Sequence, residues 1–186
     1  MSSPKTPIYT VTVTAATVYR VRGDNYEWAE AAVREWPKGG SISIQSSFGN
    51  FANTWTAIGS DTFTEFLRSL DFDYFMRKAR PDDYEEFDLA LTLAEIRKYL
   101  LGARRQAYLS KANARTCWDE IAEMADWGEQ EWHHRVQHTE TLGLLFCNDP
   151  SSIPTRRRKN IQCQRFWEEI WPALCEAWKS HEAVAA

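Results

Sequence analysis

Residues 41–79, SISIQSSFGNFANTWTAIGSDTFTEFLRSLDFDYFMRKA, constrain what this chain can fold into more than any other stretch. Over Ser41–Ser46, Ile42 and Ile44 alternate with polar neighbours, the period of a half-buried strand. Asn53–Ile58 reads as its antiparallel neighbour, joined through Phe48-Gly49-Asn50, where Gly49 and Asn50 supply the positive φ angles of a tight hairpin. Thr62-Phe63-Thr64-Glu65 is a capping-box pattern. Phe63, Phe66, Leu67 and Leu70 form the apolar face of the helix it opens. Asp71 and Asp73 bracket a second helical start carrying Phe72, Phe75 and Met76. Sheet and cover are thus encoded next to each other, in a block dense in aromatic residues and nearly uncharged until its end.

Around this block the pattern extends in both directions. Residues 8–22 set Ile8, Thr10 and Thr12 against Tyr9, Val11 and Val13, with Val18, Tyr19 and Val21 following, a strand or two with a kink near Ala15-Ala16. Gly23-Asp24-Asn25 is a turn. Glu27 to Trp36 fits a short helix ended by Pro37-Lys38-Gly39-Gly40. The period is helical from Asp83 to about Ala114, and again from Asn113 or Thr116 to Val136 with Trp118, Ile121, Ala125 and Trp132 on one stripe, Gly128 being a point of interruption. Leu142–Cys147 is a short apolar run and Asn148–Ser152 a loop. A last helix runs from about Asn160 to His181, kinked by Pro172. The fold class expected is α+β: a small antiparallel three-stranded sheet in the N-terminal third, covered by a helical C-terminal two-thirds. Residues 1–80 hold the sheet-containing core and 81–186 a helical region packed on it, as one continuous domain.

Composition narrows the function. The net charge is −4, against the basic excess of a free-standing DNA-binding domain. No apolar run is long enough for a transmembrane helix, and the N-terminus lacks the charged start and apolar core of a secretory signal. A cytoplasmic protein is expected, with Cys117, Cys147, Cys163 and Cys175 as reduced thiols. Nine tryptophans exceed what one small core needs, so some should be half-exposed at a partner surface.

The residues that could carry chemistry form no catalytic constellation. His134 and His138 are four apart, the spacing of two imidazoles on one metal, with His133, Glu131 and Cys147 nearby. The H-R-V-Q-H order has no glutamate for a zinc-protease base. Asp61, Glu65, Asp71 and Asp73 suggest a Mg²⁺ cluster, but Asp71 and Asp73 do not share a helix face and suit N-capping better. Neither a catalytic residue, a metal nor a cofactor is assigned. Two charged patches remain. Arg156, Arg157, Arg158 and Lys159 crowd a helix start, where the macrodipole disfavours cations without an anionic partner. Asp82, Asp83, Glu85, Glu86 and Asp88, and then Glu123 and Asp126 beside Trp127, form acidic rows that could mimic a phosphate backbone.

Ser47, Phe48, Gly49, Phe51, Trp55, Gly59, Phe63, Phe66, Leu67, Asp71 and Tyr74 resemble an S-x-(Y/F)-G-x-(W/F)…W…G…F-x-x-F-L…D-x-x-Y pattern of small phage and prophage accessory proteins. The resemblance covers about a fifth of the chain and implies a phage setting. In that setting the expectation is a non-catalytic inhibitor of a bacterial defence complex, anti-CRISPR-like, binding a host protein or ribonucleoprotein. Its contact residues would be Asp82, Asp83, Glu85, Glu86, Glu123, Asp126, Trp127 and Arg156–Lys159. The alternatives are a nucleic-acid-binding accessory protein using the 156–159 patch, and a metal-dependent enzyme around His133, His134 and His138.

Overall fold

The structure is a computed structural model that describes residues 10–135, 138–147 and 149–185. Ile8 and Tyr9 of the expected first strand, Val136 of the helical stripe and Asn148 of the expected loop lie outside these residues. The strands are β1 (Thr17–Arg22), β2 (Trp28–Trp36), β3 (Gly39–Ser46), β4 (Gly49–Trp55), β5 (Glu85–Phe87) and β6 (Arg157–Lys159). The helices are α1 (Phe63–Ser69), α2 (Phe72–Ala79), α3 (Leu89–Arg105), α4 (Lys111–Glu123), α5 (Glu129–Arg135), α6 (Glu140–Leu145), α7 (Ile161–Arg165) and α8 (Trp171–Ala185). The chain divides into two units: a sheet unit, up to Tyr84 and again from Ile161, and a helical unit, Glu85–Asn160. The sequence reading places its single division near residue 80.

The sheet unit is built on four antiparallel strands in chain order, β1-β2-β3-β4, where three were expected. The extra strand is β2, which the sequence reading makes a helix. Its apolar residues fit both periods: Trp28, Ala31 and Ala32 suit a helical stripe, while Ala29, Ala31 and Val33 alternate. Neighbours on both sides decide for the strand, with Ala31 opposite both Tyr19 and Ile44, because packing context outweighs local preference in such runs. Residues 10–16 form no strand although their β-branched alternation invites one. Pairing of β1 with β2 stops at Thr17↔Val33, and a strand without a ladder partner has nowhere to place its amides.

Both hairpins after β2 are tight. Pro37 and Lys38 span Trp36↔Gly39, with Lys38 at φ 63°, the pattern of a type II turn with proline in its first central position. Ser47 and Phe48 span Ser46↔Gly49. Gly49 alone supplies the positive φ there, 115°, while Asn50 is already paired with Gln45 in β4. The turn is therefore one residue earlier than the sequence reading sets it. Arg80 Nη1 donates to the Phe48 carbonyl at 3.2 Å, and a Cβ on Gly49 would meet that same nitrogen at 2.5 Å.

One sheet face carries Ala31, Val33, Ile42, Ile44, Phe51 and Trp55 into a core closed by α1, α2 and the C-terminal helices. Thr62 caps α1 by accepting from the Glu65 amide, and Asp71 caps α2 by accepting from the Tyr74 amide. Phe166 stacks on Phe51 with ring centroids 4.1 Å apart, and Phe75 lies 4.4 Å from Trp171. Where a Pro172 kink was expected, the turn before it, Phe166–Ile170, widens to a π-helix in which the Trp171 amide donates to the Phe166 carbonyl. Pro172 has no amide for the preceding turn and its ring crowds the carbonyl four residues back, so one wide turn relieves both. Phe166 and Ile170 are both buried there.

The helical unit has its own core of Leu93, Ile96, Leu100, Ile121, Trp132 and Leu142. Asp88 caps α3 by accepting from the Leu91 amide, so the helix starts later than its acidic run suggests and Glu85–Phe87 is strand. The long second helix of the sequence reading is two helices, α4 and α5, broken before Gly128. In the Leu142–Cys147 run Leu142 and Phe146 are buried while Leu144 is exposed, as a half-buried helix α6 requires. Four tryptophans, Trp55, Trp132, Trp171 and Trp178, are buried, and Trp28, Trp36 and Trp118 are partly open to solvent. No helix among the described residues is long and apolar enough to cross a membrane.

Two substitutions test these local arguments. A Cβ on Gly40 would fall 2.3 Å from the buried Phe63 ring, so Gly40→Ala should lower stability by about 1–3 kcal/mol, seen as a reduced urea midpoint. Ala107 ends α3 at φ 60°, with the Tyr108 amide reaching back to the Ala103 carbonyl, the left-handed position that glycine normally holds. Ala107→Gly should raise stability by about 1 kcal/mol, measured the same way.

Candidate functional site

Most of the residues singled out from sequence lie in the helical unit, and its two-stranded ribbon decides their electrostatics. β5 and β6 pair antiparallel with Glu85 opposite Lys159 and Glu86 opposite Arg158. The basic run is thus a strand where a helix start was expected, and its cations face carboxylates. Lys159 Nζ lies 2.8 Å from Glu85 and Arg158 Nε 2.7 Å from Glu86. Arg157 Nη1 lies 2.6 Å from Glu129, and Arg156 makes a two-pronged contact with Glu95. The Arg156 hydrogen bond holds the Glu95 carboxyl below its ordinary value, and Glu86 raises the Arg158 guanidinium. The backbone is tied down as well: the Arg156 amide donates to Thr92 Oγ1 at 2.9 Å and the Asp88 amide to the Arg156 carbonyl at 2.8 Å. Sequence separates the acidic and basic patches by some seventy residues; the ribbon interleaves them.

At the other end of α4 the charges are unanswered. Glu123 and Asp126 are exposed, and neither has a side-chain hydrogen bond or ion pair among the described residues. They precede Trp127 in the chain, and Trp127 is half-buried against Trp132 at 6.3 Å with the Arg135 guanidinium over its ring at 5.5 Å. α4 has no acidic residue in its first turn and no basic one in its last. Carboxylates at a helix C-terminus oppose the macrodipole at a cost of about 0.3–1 kcal/mol each, so this arrangement is not what helix stability alone would select. Asp82 and Asp83 belong to the sheet unit, where both are exposed and Asp83 sits 3.4 Å from Arg80.

A second polar cluster, in the sheet unit, was not foreseen. Tyr19, Glu35, Thr62, Thr64, His181 and Glu182 line a hollow of about 420 Å³. Glu182 Oε1 accepts from the hydroxyls of Thr64 and, at 2.9 Å, Thr62, while its other oxygen lies 2.6 Å from Arg68 Nη2. Tyr19 and His181 Nδ1 share a hydrogen bond at 3.1 Å, and burial, with Glu182 and Glu35 nearby, pushes the Tyr19 phenol up. Glu35 accepts from the Phe63 amide at 2.7 Å, the first of α1. The cluster fastens the end of α8 to α1 and β1.

His134 and His138 are exposed, their rings 6.3 Å apart; the His133 side chain lies outside the described residues. Cys147 is exposed too, and burial pushes the Cys175 thiol up to about 11. Among the described residues no three His, Cys, Asp or Glu side chains are placed to share a metal ion. Asp71 is spent on capping α2 and does not converge with Asp61 or Glu65.

Residues 11–180 match the model of a phage family, Phage_phiTE_072. The chain belongs to this phage family. Neither a curated protein nor a solved structure matches it. In this phage protein the aromatic block that first suggested such an origin is core: Phe48, Phe51, Trp55, Phe63 and Leu67 are all buried.

The Glu182 cluster escaped the sequence reading because His181 and Glu182 stand over 160 positions from Tyr19, and nothing short-range joins them; the only hint was a Thr-x-Thr pair at the α1 cap. It makes a pH prediction. Hydrogen bonds from Thr64 and Thr62 and the charge of Arg68 lower the Glu182 pKa from its ordinary 4.5. Its contribution is therefore present above that value and is lost as pH falls through the lowered one. Glu182→Gln should melt below wild type at pH 7, with the gap closing toward pH 3 in a series of thermal melts.

Proposed function

We propose that this phage protein is a non-catalytic binder that inhibits a bacterial host defence complex, anti-CRISPR-like, in the cytoplasm of the infected cell. The observation that carries this reading is the acidic end of α4: Glu123 and Asp126, exposed and without an ion pair among the described residues, just before a Trp127 held in place by Trp132 and Arg135. A braced aromatic anchor with charges at its rim is how protein interfaces concentrate affinity and choose partners. The charges are negative, so the surface it fits is basic, as is any groove that defence complexes use to hold nucleic acid. Occupying such a groove needs no chemistry from the inhibitor, only rigid placement of carboxylates where phosphates would lie.

The Arg156–Lys159 run supports a phosphate-binding role less well. Each of its cations already has a carboxylate within the helical unit, and a phosphate would have to displace that partner. Exposed pairs are weak, about 0–1 kcal/mol, but their number and cross-strand register leave little net positive field on the ribbon.

The test is phage plating on a bacterial host that carries an active CRISPR system, with and without the protein. Plating should rise when wild type is expressed. It should fall back with Glu123→Lys/Asp126→Lys and with Trp127→Ala, which should also lose the defence complex in nuclease-treated affinity capture. Wild type that leaves plating unchanged across the defence systems of its host, or variants as active as wild type, would remove this reading.

A further inference from the structure

A group of exposed cations gathers around a cleft in which two tyrosines are presented, beside the Arg156–Glu95 contact. The cleft, about 520 Å³, is lined by Lys98, Tyr99, Gly102 and Gln106 of α3 and its C-terminal extension, with Tyr108 and Leu145. The three- and four-residue spacing of these α3 positions puts them on one helix face. Tyr108 is 81% exposed and Tyr99 53%. Neither ring is loose by construction: Phe146 meets the Tyr99 ring edge-on at 5.4 Å, and the left-handed turn at Ala107 holds Tyr108 out from the end of the helix. Left-handed alanine is strained, and the strain falls at the residue that aims an exposed aromatic ring.

The charge around the cleft has one sign. Glu95 is the one carboxylate among its lining residues, and Arg156 already binds it. Lys98 lines the cleft, and Arg105, seven residues on, returns to the same face of α3. Arg104 and Lys111 flank the same turn. The side chains of all four are exposed; Arg104, Arg105 and Lys111 make no hydrogen bond or ion pair among the described residues, while Lys98 acts through space on Glu95, whose pKa the Arg156 hydrogen bond and Lys98 together lower. Arg104 and Arg105 also suit the C-terminus of α3, but Lys111 opens α4, where the macrodipole disfavours it.

We propose that this cleft binds single-stranded nucleic acid, with Tyr108 and Tyr99 stacking on bases and Lys98, Arg104, Arg105 and Lys111 contacting phosphates. Rings and cations alternate along the chain as Lys98-Tyr99, Arg105, Tyr108 and Lys111, the pairing of flat faces and charge that a single strand offers and a duplex, with its bases stacked inside, does not. An acidic polypeptide would answer the cations but gives two open rings nothing planar to cover. The site is separate from the acidic end of α4 and stands whether or not that surface binds a defence complex.

The test is fluorescence anisotropy of the full-length protein with a labelled oligothymidylate of roughly 20 nucleotides, long enough for the site sizes such grooves show, titrated over a series of salt concentrations. Wild type should bind the single strand more tightly than a duplex of the same length. Tyr108→Ala, at a position too exposed to matter for folding, should weaken binding about tenfold with an unchanged melting curve. Lys98→Gln/Arg105→Gln should reduce the slope of log K against log salt by about 1.4, and Arg157→Gln/Arg158→Gln should leave both affinity and slope unchanged. The proposal is overturned by no binding at low salt, by equal affinity for duplex, or by a loss that follows the ribbon arginines. It is equally overturned if polyglutamate binds the cleft more tightly than the oligonucleotide does, which would assign the charge to an acidic protein.

Discussion

The pairing of β5 with β6 is the interaction on which the helical unit depends. It sets Glu85 against Lys159, so the chain that leaves the sheet unit after Tyr84 comes back beside its own departure point before Ile161. Closing so long a loop is an entropic cost that grows only slowly with length, and the ribbon meets it with backbone hydrogen bonds, two cross-strand ion pairs in register and the buried Thr92 hydroxyl at its mouth. Because the ribbon fixes Arg156 beside Glu95 and Arg157 beside Glu129, it also determines which charges of this unit are internally answered and which face solvent.

That sorting changes the functional picture. Four adjacent cations in sequence look like a phosphate site, yet they are the cations with partners. Scattered ones converge around an α3–α4 turn: Arg104, Arg105 and Lys111 have no ion pair among the described residues, and Lys98 shares Glu95 with Arg156. The same holds for acids: Glu85, Glu86, Glu95 and Glu129 are engaged, whereas Glu123 and Asp126 are not. A one-dimensional charge run reports density, and only the fold reports neutralisation.

What could be read from sequence follows the range of the forces involved. The helix caps at Thr62 and Asp71 and the buried face of α1 depend on residues within a few positions of each other and were legible; the β3–β4 hairpin was legible as a hairpin, but its turn and the bounds of β4 (Gly49–Trp55) were not. The Glu27–Trp36 segment was not, since its alternating and helical stripes share Ala31 and only β1 and β3 on either side choose between them. The π-turn at Phe166–Ile170 was half legible: Pro172 announces a disturbance but not its form. Tyr19, His181 and Glu182 could not be joined without knowing where α8 ends, and the ribbon rests on two three-residue strands too short to show a period. The phage origin is borne out by the family match over residues 11–180, whereas which of the charged side chains face a partner depends on pairings between segments far apart in the chain.

α4 runs from Lys111 and Arg115 at its start to Glu120 and Glu123 at its end, so each end carries side chains of the same sign as its own helix pole. A helix charged this way carries a side-chain moment parallel to its backbone moment, so the two add, and over its length the formal charges are the larger. A charged partner approaching from solution would therefore experience a torque before any contact, turning the protein so that its acidic pole leads toward a basic surface and its basic pole trails. Orientation of this kind acts on the rate of productive encounter and fades with ionic strength. If the protein acts as proposed, on a basic surface of a host complex, this charge arrangement would tune speed of capture separately from final affinity.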